Sequence, residues 1–307
     1  PLNPNEKPDI KPGEEIVHIY LPPEYKAAAE NGHTYPVTVM LDGDMHIGKD
    51  PYGNSLHTPD MLDNLIAEKK IEPSVVIFTA PTPPTSEGTP RLREYGCDEN
   101  TASRLSGLPH AAKLAGLSVA ENNTCILGAS MGGIQAIYTA KMYPNVFDKV
   151  IAQSPALWWE PPAQLSGDKH HVQYDNDETW RNNFTAKFQV NFDSLTPEEK
   201  AIKDEVHYKG FIYNLLATEM DSRTGKKLPQ GNVEITLQVG CNETGTVHPV
   251  VGKEPLTQAT KTLARDFNIP LKIFDGGHSP GNWATGLCVA LQNVYPRLEK
   301  SRGHSPG

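Results

Sequence analysis

The 307-residue chain has no run of about 18 uncharged apolar residues, so no membrane-spanning helix is expected. It also lacks a cationic surplus. Lys and Arg total 28 against 37 Asp and Glu, a formal net charge of −9, and no basic block stands out. Nucleic acid and anionic membrane are therefore not expected partners. Cys97, Cys125, Cys241 and Cys288 are widely spaced and form no C-x-x-C pair. An even count permits disulfides in an oxidising compartment, and four thiols in a cytosolic protein fit equally well. H-E-x-x-H is absent, MLDGDMH has no further EF-hand ligands, and no G-x-G-x-x-G opens a helix after a strand. No metal and no cofactor are expected. No signal-like apolar segment follows Pro1, but a cleaved leader would leave the same record. N-x-T sequons at Asn122, Asn183 and Asn242 do not decide it, so periplasmic, secreted and cytoplasmic locations all stay open.

What is present is a repeating rhythm. IVHIYL, YPVTVMLDGD, SVVIFTAP, TCILGAS, KVIAQSP, VEITLQVG and LKIFDGG read as short apolar strands bounded by turn residues. Between them, Met61, Leu62, Leu65 and Ile66 mark a helix face behind Thr58-Pro59. MGGIQAIYTAKMYP reads as a helix stopped by Pro144. Leu256, Ala259, Leu263 and Phe267 mark another face, and NWATGLCVALQNVYP reads as the closing helix. Strands alternating with helices predict an α/β domain over residues 1–307, with a mostly parallel sheet and helices on both faces. Residues 161–231 break the rhythm. They are polar, aromatic-spiked and too long for an ordinary loop, and read either as a lid-like insertion or as a surface excursion.

The chemistry concentrates at GASMGG, Gly128 to Gly133. Ser130 lies between a short apolar strand and a helix, the setting of a nucleophile elbow, where only small neighbours let the two elements approach. The helix opening at Met131 directs its N–H groups and positive dipole end at the serine, so the Met131 N–H is a natural oxyanion donor. The second donor of this arrangement comes from the loop after the early central strand, here LDGDMH. A backbone N–H at Gly43 or Asp44 is expected to supply it, although Asp-Gly is also an ordinary turn dipeptide.

A serine hydroxyl needs a base, and imidazole suits that work near neutral pH. Among 11 histidines, His278 follows strand LKIFDGG directly, with Gly276-Gly277 freeing the loop to turn back over the sheet. The chain order nucleophile, acid, base puts the acid after VEITLQVG, where CNETG offers Glu243. Asp275 is too near His278 in sequence to fold back on it, and Asp221 precedes the strand. A Ser–His pair assisted by water or backbone is the alternative to Glu243.

These residues resemble a known group. LDGD after a β-run, R-x-x-E at Arg91 to Glu94, GASMGG, AQSPALWWE and GGH with Trp five residues later are similar to the enterochelin-esterase-like family of α/β-hydrolases. That group also takes in esterase D, feruloyl and acetyl-xylan esterases and the mycolyltransferases. The resemblance covers roughly residues 35–160 and 233–290. It implies an α/β-hydrolase fold, Ser130 as nucleophile, His278 as base and an acid near Glu243. It also points to Arg91 and Arg93 as cleft cations for an anionic siderophore ester. Trp158 and Trp159 either line the pocket or are packed inside. Ser279-Pro280 replaces the aromatic that siderophore esterases often carry after the histidine, which bears on the pocket rather than the machinery.

Three functions follow as expectations. The first is a serine esterase working through an acyl-enzyme on a small-molecule ester. The second passes the acyl group to an acceptor alcohol, or acts on carbohydrate feruloyl or acetyl esters. The third is a non-catalytic binding module on a hydrolase scaffold, which an unreactive Ser130 would favour.

Overall fold

A computed structural model of the chain describes residues 17–48, 55–82, 90–157, 159, 211–243 and 256–296. In chain order these form β1 (Val17–Tyr20), α1 (Tyr25–Glu30), β2 (Tyr35–Leu41), α2 (Gly43–Ile47), α3 (Thr58–Ala67) and β3 (Val75–Thr79). Next come α4 (Arg91–Glu94), α5 (Glu99–Leu114), β4 (Val119–Ala129), α6 (Met131–Met142) and β5 (Lys149–Gln153). The remainder is α7 (Phe211–Thr218), β6 (Met220–Asp221), β7 (Lys226–Lys227), β8 (Glu234–Gly240), α8 (Leu256–Asp266), β9 (Leu271–Phe274) and α9 (Pro280–Val294).

Seven strands join in the order β1-β3-β2-β4-β5-β8-β9. Only β1 runs antiparallel to its neighbour. Every residue of β2 and β3 is buried, as expected for strands covered on both faces. Val37, Val39 and Leu41 point into one apolar cluster with Leu105, Ile134, Ile137 and Leu263 of the helices α5, α6 and α8. Met40, Val76 and Phe78 point the other way, onto Leu62 and Leu65 of α3 and Leu287 and Leu291 of α9. The period of two along the strands thus builds a three-layer domain. Pro36 lies inside this central strand at the point where the pairing of β2 with β4 shifts register, between Tyr35 and Val37, an irregularity of the ladder that accommodates a residue without an N–H.

Two elements depart from the pattern expected from sequence. Helix α5 has no clear apolar period, since Gly107 and Pro109 lie inside it, yet Asp98 caps it by accepting from the Thr101 N–H at 2.7 Å. Burial of Ala102, Leu105 and Ala112 holds it in place despite weak propensity. Residues after β2 form helix α2 rather than an open loop: Asp42 takes φ 56° and the helix starts at once.

Of residues 161–231, positions 161–210 lie outside the described residues. The rest returns to the core: Phe211, Ile212 and Leu215 of α7 are buried. Arg223 stacks over the rings of Phe211 and Tyr138 at 4.6 and 5.1 Å while pairing with Asp221 at 2.7 Å. Tyr138 donates to the same carboxylate at 3.1 Å, so this end of the segment is pinned to α6. No helix among the described residues is long and apolar enough to cross a membrane.

Buried His46 of α2 carries a pH consequence. Its ring lies against Phe78 and its Nδ1 is 2.8 Å from Thr58 Oγ1. Desolvation pulls its pKa down to about 4, outweighing the opposing pull of Asp42 and the Leu41 backbone. The unfolded imidazole, with its ordinary pKa, binds more protons between about pH 6.5 and 4, so stability falls as pH drops through that window. The cost by pH 4 is on the order of 2–3 kcal/mol. Denaturant titrations at pH 7.5 and 4.5 should show the wild type losing more than His46→Gln. Equal losses would remove His46 as the cause.

Candidate active site

Because β2, β4, β5, β8 and β9 are parallel, their carboxyl ends share one edge of the sheet, where open α/β sheets place their sites. The residues that follow those ends include Gly43, Ser130, Ser154, Glu243 and His278. Ser130 joins β4 to α6 with φ 57° and ψ −118°, a conformation costly for any residue with a Cβ. Its surroundings hold it there. The Ser130 N–H donates to the Gln153 carbonyl at 2.9 Å, and its carbonyl accepts from Gly133, Ile134 and Ala156. A Cβ at Gly128 would sit 2.3 Å from the Gly132 carbonyl oxygen, so the small residues flanking the serine are required by contact and not by flexibility.

His278 reaches back from the far side of the sheet, and its Nε2 stands 3.0 Å from Ser130 Oγ. Its Nδ1 is 2.8 Å from Glu243 Oε2. The Glu243 side chain is fully buried. Its other oxygen, Oε1, accepts from the Gly240 N–H at 2.7 Å and from the Ser154 hydroxyl at 2.6 Å. A buried carboxylate with both oxygens satisfied suits a fixed orienting role. The arrangement can remove a proton from a hydroxyl, hold it on imidazole and steady the resulting charge.

Two side chains not singled out by role from sequence complete the support. Trp283 meets the His278 ring edge-on at 4.9 Å between centroids, and its Nε1–H donates to Ser154 Oγ at 3.0 Å. The run Trp283, Ser154, Glu243, His278, Ser130 is therefore one chain of contacts. Below it, Gln153 Nε2 donates to Gln238 Oε1 and the Trp283 carbonyl, and Gln238 Nε2 donates to the Gly286 carbonyl. This buried amide ladder fixes α9 against β5 and β8. The sequence signal available was the position of Ser154 and Gln153 at a strand end, which is weak without knowing what faces them. Trp283→Phe keeps the ring and loses the donor. We expect a roughly 3- to 10-fold fall in kcat with KM little changed, by the usual size of one neutral hydrogen bond in a network. Ester kinetics would check this, and an unchanged kcat would reduce Trp283 to packing.

The remaining sequence-derived candidates fall as follows. Met131 opens α6, and its N–H belongs to the first turn, which lacks intrahelical acceptors. Gly43 packs directly on β3, where a Cβ would come within 2.9 Å of the Phe78 backbone, and Asp44 follows it in the first turn of α2. The Arg91 side chain is partly buried and held by an acidic partner. Its Nε and Nη2 donate to Asp42 Oδ1 and Oδ2 at 2.5 and 2.7 Å, and Nη2 also lies 3.4 Å from the Ala129 carbonyl. Burial disfavours its charge, but Asp42 outweighs that and raises its pKa. Arg93 is half-buried on the same short helix, α4. Trp159 is buried and donates its Nε1–H to the Gly96 carbonyl at 3.3 Å, so it packs inside. Trp158 lies outside the described residues.

Comparison with known proteins agrees with this architecture. A family model described as "Putative esterase" matches residues 107–200. The chain is 30% identical over 126 residues to the iron(III) enterobactin esterase of Dickeya dadantii, covering 40% of this chain and 27% of that protein. Against the enzyme of the same name from Escherichia coli K12 the identity is 26% over 126 residues, covering 40% of this chain and 29% of that protein. Matches thus span well under half the length of these relatives. Among solved structures, Shigella flexneri enterobactin esterase in the presence of enterobactin superposes with a TM-score of 0.55 at 19% identity, covering 94% of this chain and 60% of that one. The siderophore hydrolase EstA from Aspergillus nidulans gives 0.52 at 14% identity, covering 91% and 89%. The chain has the α/β-hydrolase fold, and the matches support the enterochelin-esterase-like resemblance drawn from its motifs.

Proposed function

We propose that this chain is a carboxylic-ester hydrolase that works through a serine acyl-enzyme. The observation that carries the reading is the unbroken path Ser130 Oγ, His278 and Glu243, with contacts of 3.0 and 2.8 Å. In this mechanism His278 Nε2 takes the hydroxyl proton as Ser130 attacks the ester carbonyl. The oxyanion rests on N–H groups of Met131 and of Gly43 or Asp44, at the start of α6 and of α2. The imidazolium, steadied by Glu243, then protonates the leaving alcohol, and water releases the acid by the reverse sequence. Esters of the siderophore type are the favoured substrate class, since relatives named as enterobactin esterases lie on both the sequence and the fold side.

Mass spectrometry after treatment with a fluorophosphonate tests the nucleophile, with one label expected on Ser130. A parallel screen of acetyl, feruloyl and catecholate esters, with and without an acceptor alcohol, reads out the substrate class and the ratio of hydrolysis to transfer. An unlabelled Ser130 would overturn the reading in favour of a binding module.

A further inference from the structure

Asp42 sits where the proposed reaction can least tolerate an unbalanced charge. It follows β2 directly, takes φ 56° at the N-cap of α2, and its backbone leads directly to Gly43 and Asp44. Its carboxylate also lies against the first turn of α6: a Cβ at Gly132, the second residue of that helix and the neighbour of Met131, would lie 3.1 Å from Asp42 Oδ2. A lone carboxylate there would repel the developing oxyanion and compete with it for the positive end of the α6 dipole. Arg91 answers both problems. Its two-toothed grip neutralises Asp42 and fixes the torsions of that carboxylate, while its reach to the Ala129 carbonyl ties the grip to the residue before the nucleophile. From the other side, the Asp42 N–H donates to Tyr95 Oη at 3.3 Å, and Tyr95 lies under the guanidinium at 5.4 Å.

We propose that Arg91 is a positioning residue that clamps Asp42, and through it the α2 turn, against the nucleophile elbow so that the two oxyanion donors hold a common register. The inference rests on the serine-acyl reading above and deepens it. It replaces a role in gripping substrate with one in shaping the oxyanion site. Arg91 thus acts on every ester regardless of charge, and lysine is a poor substitute because it cannot hold both carboxylate oxygens in one plane.

The test compares wild type, Arg91→Lys, Arg91→Ala, Asp42→Asn and the double variant Asp42→Asn/Arg91→Ala. Each is assayed with a neutral p-nitrophenyl ester and with one carrying a carboxylate on its acyl chain. The rate of fluorophosphonate labelling of Ser130 is followed beside these assays, since it needs no ester turnover. We expect Arg91→Ala to lower kcat about 100-fold for both esters with KM little changed, Arg91→Lys to lower it about 10-fold, and labelling to slow in parallel. The double variant should regain part of the loss, because the stranded carboxylate is gone. A KM rise confined to the anionic ester, with kcat and labelling unchanged, would overturn the clamp and restore Arg91 as a substrate contact. Labelling of wild type without turnover of any ester would instead refute the hydrolase reading, and the labelling rates of the variants would still decide the clamp. Should Arg91→Ala fail to fold, the Arg91→Lys and Asp42→Asn proteins carry the same comparison.

Discussion

Replacing Ser130 with alanine is expected to lower kcat on a p-nitrophenyl ester by roughly 10⁴- to 10⁶-fold, the range seen when a nucleophile acting as one unit with its base is removed. Stability should hardly move, because the hydroxyl contacts only His278 Nε2 among the hydrogen bonds described for it. The glycine variant separates strain from chemistry. At φ 57° and ψ −118° any Cβ is uncomfortable, so Ser130→Gly should be equally inactive yet more stable, by about 1 kcal/mol after the entropy of the freed unfolded chain is counted. Steady-state kinetics and chemical denaturation of both variants check the pair. Turnover retained in Ser130→Ala would exclude the serine mechanism, whereas a destabilised Ser130→Gly would mean the elbow is not strained.

Glu243→Gln carries the second large effect, and here the surroundings dictate the outcome. The Gly240 N–H and the Ser154 hydroxyl both point at Oε1, so a glutamine must keep its carbonyl oxygen on that side. Its amide NH₂ then faces His278 Nδ1. A donor at Nδ1 forces the imidazole proton onto Nε2, which turns the base toward Ser130 with a proton instead of a lone pair. The charge that would steady an imidazolium is lost as well. A fall of roughly 10³- to 10⁴-fold in kcat is expected, with little change in KM. Because the packing and the Oε1 contacts survive, thermal stability should stay near that of the wild type. A loss below about 10-fold would favour the alternative in which Ser130 and His278 act as a pair without a carboxylate.

How much of this was legible beforehand depends on whether a residue's role is set by its neighbours in the chain or across it. The strands, most helices and the strand-turn-helix at Ser130 are local patterns: apolar runs of the right length, small residues at the turn, proline at the helix stops. Helix α5 escaped because its interior glycine and proline hide a helix that only burial stabilises. Arg91 shows the opposite limit. Its charge was visible and its partner was not, since Asp42 lies 49 residues earlier, and no periodicity in the sequence links the two.

The amino-acid sequence by itself determined the alternation that makes a mostly parallel sheet, and therefore that Ser130, Glu243 and His278 follow strand ends on one edge. Local sterics and hydrophobic period suffice for that. Only the folded chain decided that Glu243 is buried with both oxygens engaged, that Trp283 and Ser154 stand behind it, and that Arg91 faces Asp42. Those facts depend on which strands become neighbours and how far each loop reaches, and a buried polar group finds its partner through packing rather than proximity in sequence.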